Sequence, residues 1–169
     1  MLGMQDPHRS RNVGLRRVWT TLLLAIGLAS AAFAESPAVL VDEAGVLSDK
    51  ERDEIKKLIS AYNEKGPGRI YVVVIDKLPP GTSIEQFASA RINQPPLGAN
   101  EKADRVLLAV AVQDRKMRIE TSKDVWALLP DAFCKSVIDK VIAPRFKEKN
   151  YFQGIRDGVS ALSSKLKSR

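Results

Sequence analysis

Ile70-Tyr71-Val72-Val73-Val74-Ile75 is an unbroken run of β-branched and aromatic residues, and Val106-Leu107-Leu108-Ala109-Val110-Ala111-Val112 is a second run of the same kind. A strand without polar alternation is buried on both faces, as in parallel sheets covered by helices. Between the runs, Pro79-Pro80-Gly81 turns the chain. Thr82 or Ser83 then caps a helix with Ile84, Phe87, Ala88 and Ile92 on one side, and Pro95-Pro96 ends it. A loop, Leu97 to Asp104, leads into the second run. The unit has βαβ proportions, so the two strands are expected to be parallel, joined by a right-handed crossover.

Working outward, Gln113-Asp114-Arg115-Lys116 is a tight polar turn. Met117-Arg118-Ile119-Glu120-Thr121 alternates apolar and polar, which predicts a more exposed strand antiparallel to the second run. Upstream, residues 35–47 form an entry segment. Ser48 and Glu51 form a capping box that opens a helix. Ile55, Leu58, Ile59 and Tyr62 give it a core stripe, and Gly66-Pro67-Gly68 stops it. Downstream, Val125 to Leu129 is short and apolar, enough for one helical turn. Pro130-Asp131 opens a helix with Phe133, Val137, Ile138, Val141 and Ile142 inward, and Pro144 is expected to break it. Asn150 caps a last helix bearing Phe152, Ile155, Val159, Leu162 and Leu166. These elements predict an α/β fold, an α/β/α sandwich with a small mixed β-sheet flanked by helices.

The first 34 residues read as an address. Arg9, Arg11, Arg16 and Arg17 precede an apolar run, Val18 to Leu28, and the small-residue site Ala32-Phe33-Ala34 follows. That pattern predicts a secretory signal peptide over 1–34, cut between Ala34 and Glu35. A retained membrane anchor is the alternative, although the run is short for a spanning helix, which needs about 20 apolar residues. Residues 35–169 then form a single domain, with no transmembrane segment after signal cleavage and a periplasmic or secreted location. The whole chain has 27 basic and 20 acidic residues. Four arginines and Asp6 depart with the signal, leaving 23 against 19, a net charge of +4. Without a basic stripe this does not argue for nucleic acid.

Composition narrows the chemistry. The one histidine, His8, lies in the signal, so the processed form would have no histidine base, no histidine-activated nucleophile and no histidine-ligated zinc. Cys134 is the one cysteine, which rules out an internal disulfide and reads as a small buried hydrophobe. Trp126, beside Leu128 and Leu129, reads as packing rather than a ligand platform.

Strand direction groups the polar residues. Asp76, Lys77 and Asp114 fall at one end of the sheet. Asp104 and Asp124 fall at the other, where Asp131 can join them. An all-oxygen set of this kind suits Ca²⁺ or Mg²⁺, and solvated loop charges are the alternative. Arg115 and Lys116 could contact an anion or simply form a solvated hairpin tip.

A series of stretches runs in order along the chain: Val41-Asp42-Glu43-Ala44-Gly45-Val46-Leu47-Ser48, Ile70 to Asp76, Ser83-Ile84-Glu85-Gln86-Phe87-Ala88 and Asp104 to Ala111. Asp114-Arg115-Lys116-Met117-Arg118-Ile119-Glu120-Thr121, Leu129-Pro130-Asp131, Ile142 to Lys147 and Tyr151-Phe152-Gln153-Gly154-Ile155 follow. Together they resemble the TPM domain family, the group named for a thylakoid lumen protein, a photosystem II repair protein and a nematode receptor modulator. The resemblance implies an exported α/β/α domain. Some members are described as calcium-bound acid phosphatases, others as assembly, repair or modulatory factors. Two departures stand out. Ser122-Lys123-Asp124-Val125 replaces a glycine-rich turn, and Ala103-Asp104-Arg105 replaces an Asp-Asn-Gly-like entry. Both sit where the acidic group is expected, and Arg105 and Lys123 would offset its charge.

The expectation is therefore an exported, soluble TPM-like domain, a non-catalytic assembly, repair or modulatory factor with a protein partner in the cell envelope. The alternative is a metal-dependent acid-phosphatase-like hydrolase. It would use Asp104, Asp124 and Asp131 around Ca²⁺ or Mg²⁺, with Lys123 or Arg105 stabilising phosphate charge.

Overall fold

The structure, a computed structural model, describes residues 38–94 and 104–168. The signal segment 1–34, the start of the entry segment, and most of the loop after Pro95 lie outside the described residues.

The two apolar runs are the centre of the sheet. Strand β2 (Arg69–Ile75) and strand β3 (Arg105–Ala111) run parallel, in register from Arg69 opposite Arg105 to Ile75 opposite Ala111. Strand β4 (Lys116–Thr121) returns antiparallel to β3, as its alternation predicts. A further strand, β1 (Leu40–Asp42), adds parallel to β2, giving the order β1-β2-β3-β4. The entry segment is thus part of the sheet, which has four strands rather than the expected three.

Each face of the sheet is covered. Helix α1 (Asp49–Lys65) starts at the Ser48–Glu51 capping box, and helix α2 (Ile84–Ile92) starts at a second box formed by Ser83 and Gln86. Ile84, Ala88 and Ile92 of α2 pack on Tyr71, Val73, Ile75, Leu107, Ala109 and Ala111. The alternate strand residues Val72, Val74, Val106, Leu108 and Val110 face the larger layer. That layer holds α1 and helix α5 (Tyr151–Lys167), which brings Ile155, Val159, Leu162 and Leu166 inward. It also holds the segment before α5.

That segment departs from the expected plan. Helix α3 (Asp131–Val137) does not end before Pro144. It passes through a π turn, Ile138–Ile142, into a short helix α4 (Ala143–Lys147), with Pro144 inside the first turn of α4. The Ala143 amide donates to the Ile138 carbonyl, so the ladder is already widened where the proline's missing N–H would otherwise leave a gap. Trp126 also departs from expectation. It follows a 3₁₀ turn (Lys123–Val125) and is 61% exposed, because Val125 and Leu129 take the buried positions.

Two polar side chains fix the layers. Asn63, buried near the end of α1, accepts from the Ile70 amide at 2.8 Å and donates to the Ile70 carbonyl at 3.0 Å. Asp42, with a side-chain exposure of 0%, accepts from the Val46 amide at 3.3 Å and the Leu47 amide at 3.0 Å, and pairs with Arg52 at 3.3 Å. It ties β1 to the start of α1. Removing a buried charged acceptor leaves its donors unpaired. Asp42→Ala is therefore expected to lower stability by about 2–3 kcal/mol in urea unfolding, with Asp42→Asn recovering part of the loss.

Candidate functional site

Ligands of open α/β sheets bind beyond the carboxyl ends of the parallel strands. Here that edge carries a cleft of about 380 Å³, built from the β3–β4 hairpin and the α4–α5 turn. Val110, Ala111 and Met117 floor it from the strands, and Phe146 and Tyr151 from the helices. The Phe146 and Tyr151 rings meet edge to face, 5.1 Å between centroids. Arg115, Lys116, Lys147 and Lys149 form the rim, all four exposed.

Backbone geometry places two of these cations. The Arg115 amide donates to the Val112 carbonyl at 3.2 Å, and Arg115 itself is left-handed, at φ 52°. Lys149 is left-handed too, at φ 60°. It ends α4 in a Schellman motif, with its amide on Phe146 O and the Asn150 amide on Arg145 O. Glycine is the residue these positions favour, and a side chain there costs on the order of 1 kcal/mol.

Three acids of the same edge are engaged elsewhere, while Glu43 and Glu148 are exposed. Asp42 holds the β1–α1 loop. Asp76 accepts from Gln113 at 2.6 Å, and Asp114 accepts from the Leu78 amide at 2.7 Å. Arg145, next to the rim, faces Asp157 at 4.0 Å. Among the described residues no carboxylate pairs with Arg115, Lys116, Lys147 or Lys149. The cleft is therefore a cationic rim around an apolar floor.

The opposite edge holds the acidic residues singled out by sequence. Asp104 precedes β3, half-buried, and its carbonyl accepts from the Arg69 amide at 2.6 Å. The start of β3 meets the end of β4, as the hairpin topology requires. Arg105 N donates to Ser122 Oγ at 3.0 Å, and Ser122 N donates to Arg105 O at 2.9 Å. Asp124 is exposed in the 3₁₀ turn, and Asp131 is exposed in the first turn of α3. Among the described residues no three His, Cys, Asp or Glu side chains are grouped to hold a metal ion.

Cys134 is buried and makes a long contact, 3.7 Å, with the Leu129 carbonyl. Burial, with the nearby Asp131 charge adding to it, pushes its thiol up to about 11.

A family model for the TPM domain matches residues 40–165. The chain belongs to the TPM domain family. No curated protein matches it. Solved structures with the same TPM-like fold include the N-terminal domain of a protein from P. gingivalis, 25% identical, covering 80% of this chain and 85% of that one, with a TM-score of 0.70. The BA42 protein from the psychrophilic bacterium Bizionia argentinensis is 23% identical, covering 72% and 82%, with a TM-score of 0.62. The N-terminal domain of the cg2496 protein from Corynebacterium glutamicum is 17% identical, covering 79% and 85%, with a TM-score of 0.60. Among the described residues of this TPM domain, no helix is long and apolar enough to cross a membrane.

The floor depends on a close approach of α5. A Cβ on Gly154 would lie 2.7 Å from the Phe146 ring and 3.2 Å from Arg145 Cβ. Gly154→Ala is expected to displace Phe146 and cost about 1–3 kcal/mol in thermal unfolding. For Cys134, the folded thiol ionises later than its ordinary 9.0. Its contribution to stability is therefore full below pH 9.0 and is lost as pH rises toward 11. In Cys134→Ala the decline over that window should be shallower. Alkylation of the wild type near neutral pH should follow unfolding only, checked by mass spectrometry in urea.

Proposed function

We propose that this TPM domain is an exported binding domain, acting in the cell envelope as an assembly, repair or modulatory factor rather than as a catalyst. The observation that carries this reading is the cleft at the carboxyl edge of the sheet. It has an apolar floor to bury part of a partner and a charged rim to orient it, the usual anatomy of a recognition site. Its lining supplies cations, apolar groups and one phenol, with no carboxylate, histidine, serine or cysteine among the described residues. The basic segment, apolar run and Ala32-Phe33-Ala34 site support export.

The test is a photo-crosslinking amino acid placed at Lys147 of the full chain, expressed in its native cells. A discrete adduct is expected in the envelope fraction, with none from the same group at Lys57 on α1. The processed chain should begin at Glu35 by mass spectrometry. Adducts from both positions alike, or from neither, would overturn the binding reading. The non-catalytic part fails if the purified protein, with Ca²⁺ or Mg²⁺, hydrolyses p-nitrophenyl phosphate faster than an Asp104→Ala, Asp131→Ala variant.

A further inference from the structure

We infer that the cleft receives an acidic segment of another protein chain, with an apolar side chain seated between carboxylates. The inference rests on the binding reading above and names the partner's chemistry.

The first support is charge. Arg115 and Lys116 come from the hairpin and the start of β4, Lys147 and Lys149 from the end of α4 and the turn after it, and all four line one cleft. None has a carboxylate partner among the described residues, although Asp76, Asp114 and Asp157 lie on neighbouring elements and are bonded to other groups. Exposed Glu148, between Lys147 and Lys149, and Glu85, within electrostatic reach of Lys116, offset part of the rim. The like charge that remains repels, and a ligand that carries carboxylates relieves that repulsion.

The second support is the backbone. Arg115 and Lys149 occupy left-handed positions that glycine would fill without strain. The chain holds a long cation at both. Strain retained at two points around one cleft points to what those side chains do there rather than to the turns themselves.

The third support separates a protein segment from a small anion. Inorganic phosphate would satisfy the rim and leave the half-buried Met117, Phe146 and Tyr151 facing water. An apolar side chain flanked by acidic residues satisfies both. A volume of about 380 Å³ admits side chains of an extended segment, not a folded element.

The test uses the protein purified from its native cells and the peptide fluoresceinyl-Glu-Glu-Leu-Glu-Glu-amide, labelled at its N-terminus and followed by anisotropy. Saturable binding is expected. It should weaken at least tenfold in the Arg115→Gly, Lys149→Gly double variant, which should melt no lower than the wild type because glycine relieves both turns. A Lys116→Gln, Lys147→Gln variant leaves the backbone untouched and should weaken binding as well. Raising the ionic strength from about 0.01 M to about 1 M shortens the screening length from about 30 Å to about 3 Å and should abolish most of the binding. Replacing the peptide's leucine with serine should weaken it too. Competition by inorganic phosphate with no effect of the leucine change would overturn the inference in favour of a small-anion site. No peptide binding while the Lys147 crosslink persists would overturn the acidic chemistry and leave the binding reading intact. Loss of both would remove the two together.

Discussion

Strands β2 and β3 have no solvent face, and the rest of the fold follows from that constraint. Seven residues of each are paired in parallel, and nearly all are buried on both sides. A parallel pair cannot be closed by a hairpin, so α2 must cross over one face. The other face then needs its own cover, which α1 and α5 provide with the larger share of the core. Even the polar contacts serve this arrangement. Asn63 gives Ile70 both halves of a backbone hydrogen-bond pair from the helix layer, so the sheet and α1 are joined by direction as well as by apolar contact.

Parallel strands also decide where binding chemistry can sit. Their carboxyl ends open into loops that the core does not dictate. At one end the loops are occupied by short tethers, with carboxylates tied to amides and to Gln113. The hairpin and the α4–α5 turn add four cations to the same edge. The contrast between tethered acids and a rim in which four cations outnumber the nearby acids gives this edge its electrostatic character. It does so without a large net charge on the domain.

Elements with long, regular patterns were legible in the sequence. The Ser48–Glu51 box, the β2 and β3 runs, the alternating β4 and the Asn150 cap are local signals, and the structure places each where its pattern lies. β1 was not legible, because three residues, Leu40-Val41-Asp42, are too few to show a period. The π turn was hidden for another reason. Val137, Ile138, Val141 and Ile142 fit ordinary helical spacing, and Pro144 looked like an end rather than a first turn. The proximity of Trp126 to Leu128 and Leu129 in sequence suggested packing, yet only one side of that short turn reaches the core. The cleft escaped because its two halves, around residues 110–117 and 143–151, meet only through the packing of α4 and α5 on the sheet.

The widened turn at Ile138–Ile142 has a consequence for chain length. A helix with a π turn carries one residue more than an α-helix joining the same two ends would need. If this segment closed as a regular α-helix without losing that residue, everything beyond Ile142 would rotate by about 100°, and Phe146 would swing off the floor. If one residue within 138–142 were lost instead, both ends could stay where they are, Val137 and Ile142 still anchored in the core. Homologous chains can therefore differ by a single insertion or deletion at this point and keep the same cleft, so a gap there in an alignment is no sign of a changed site.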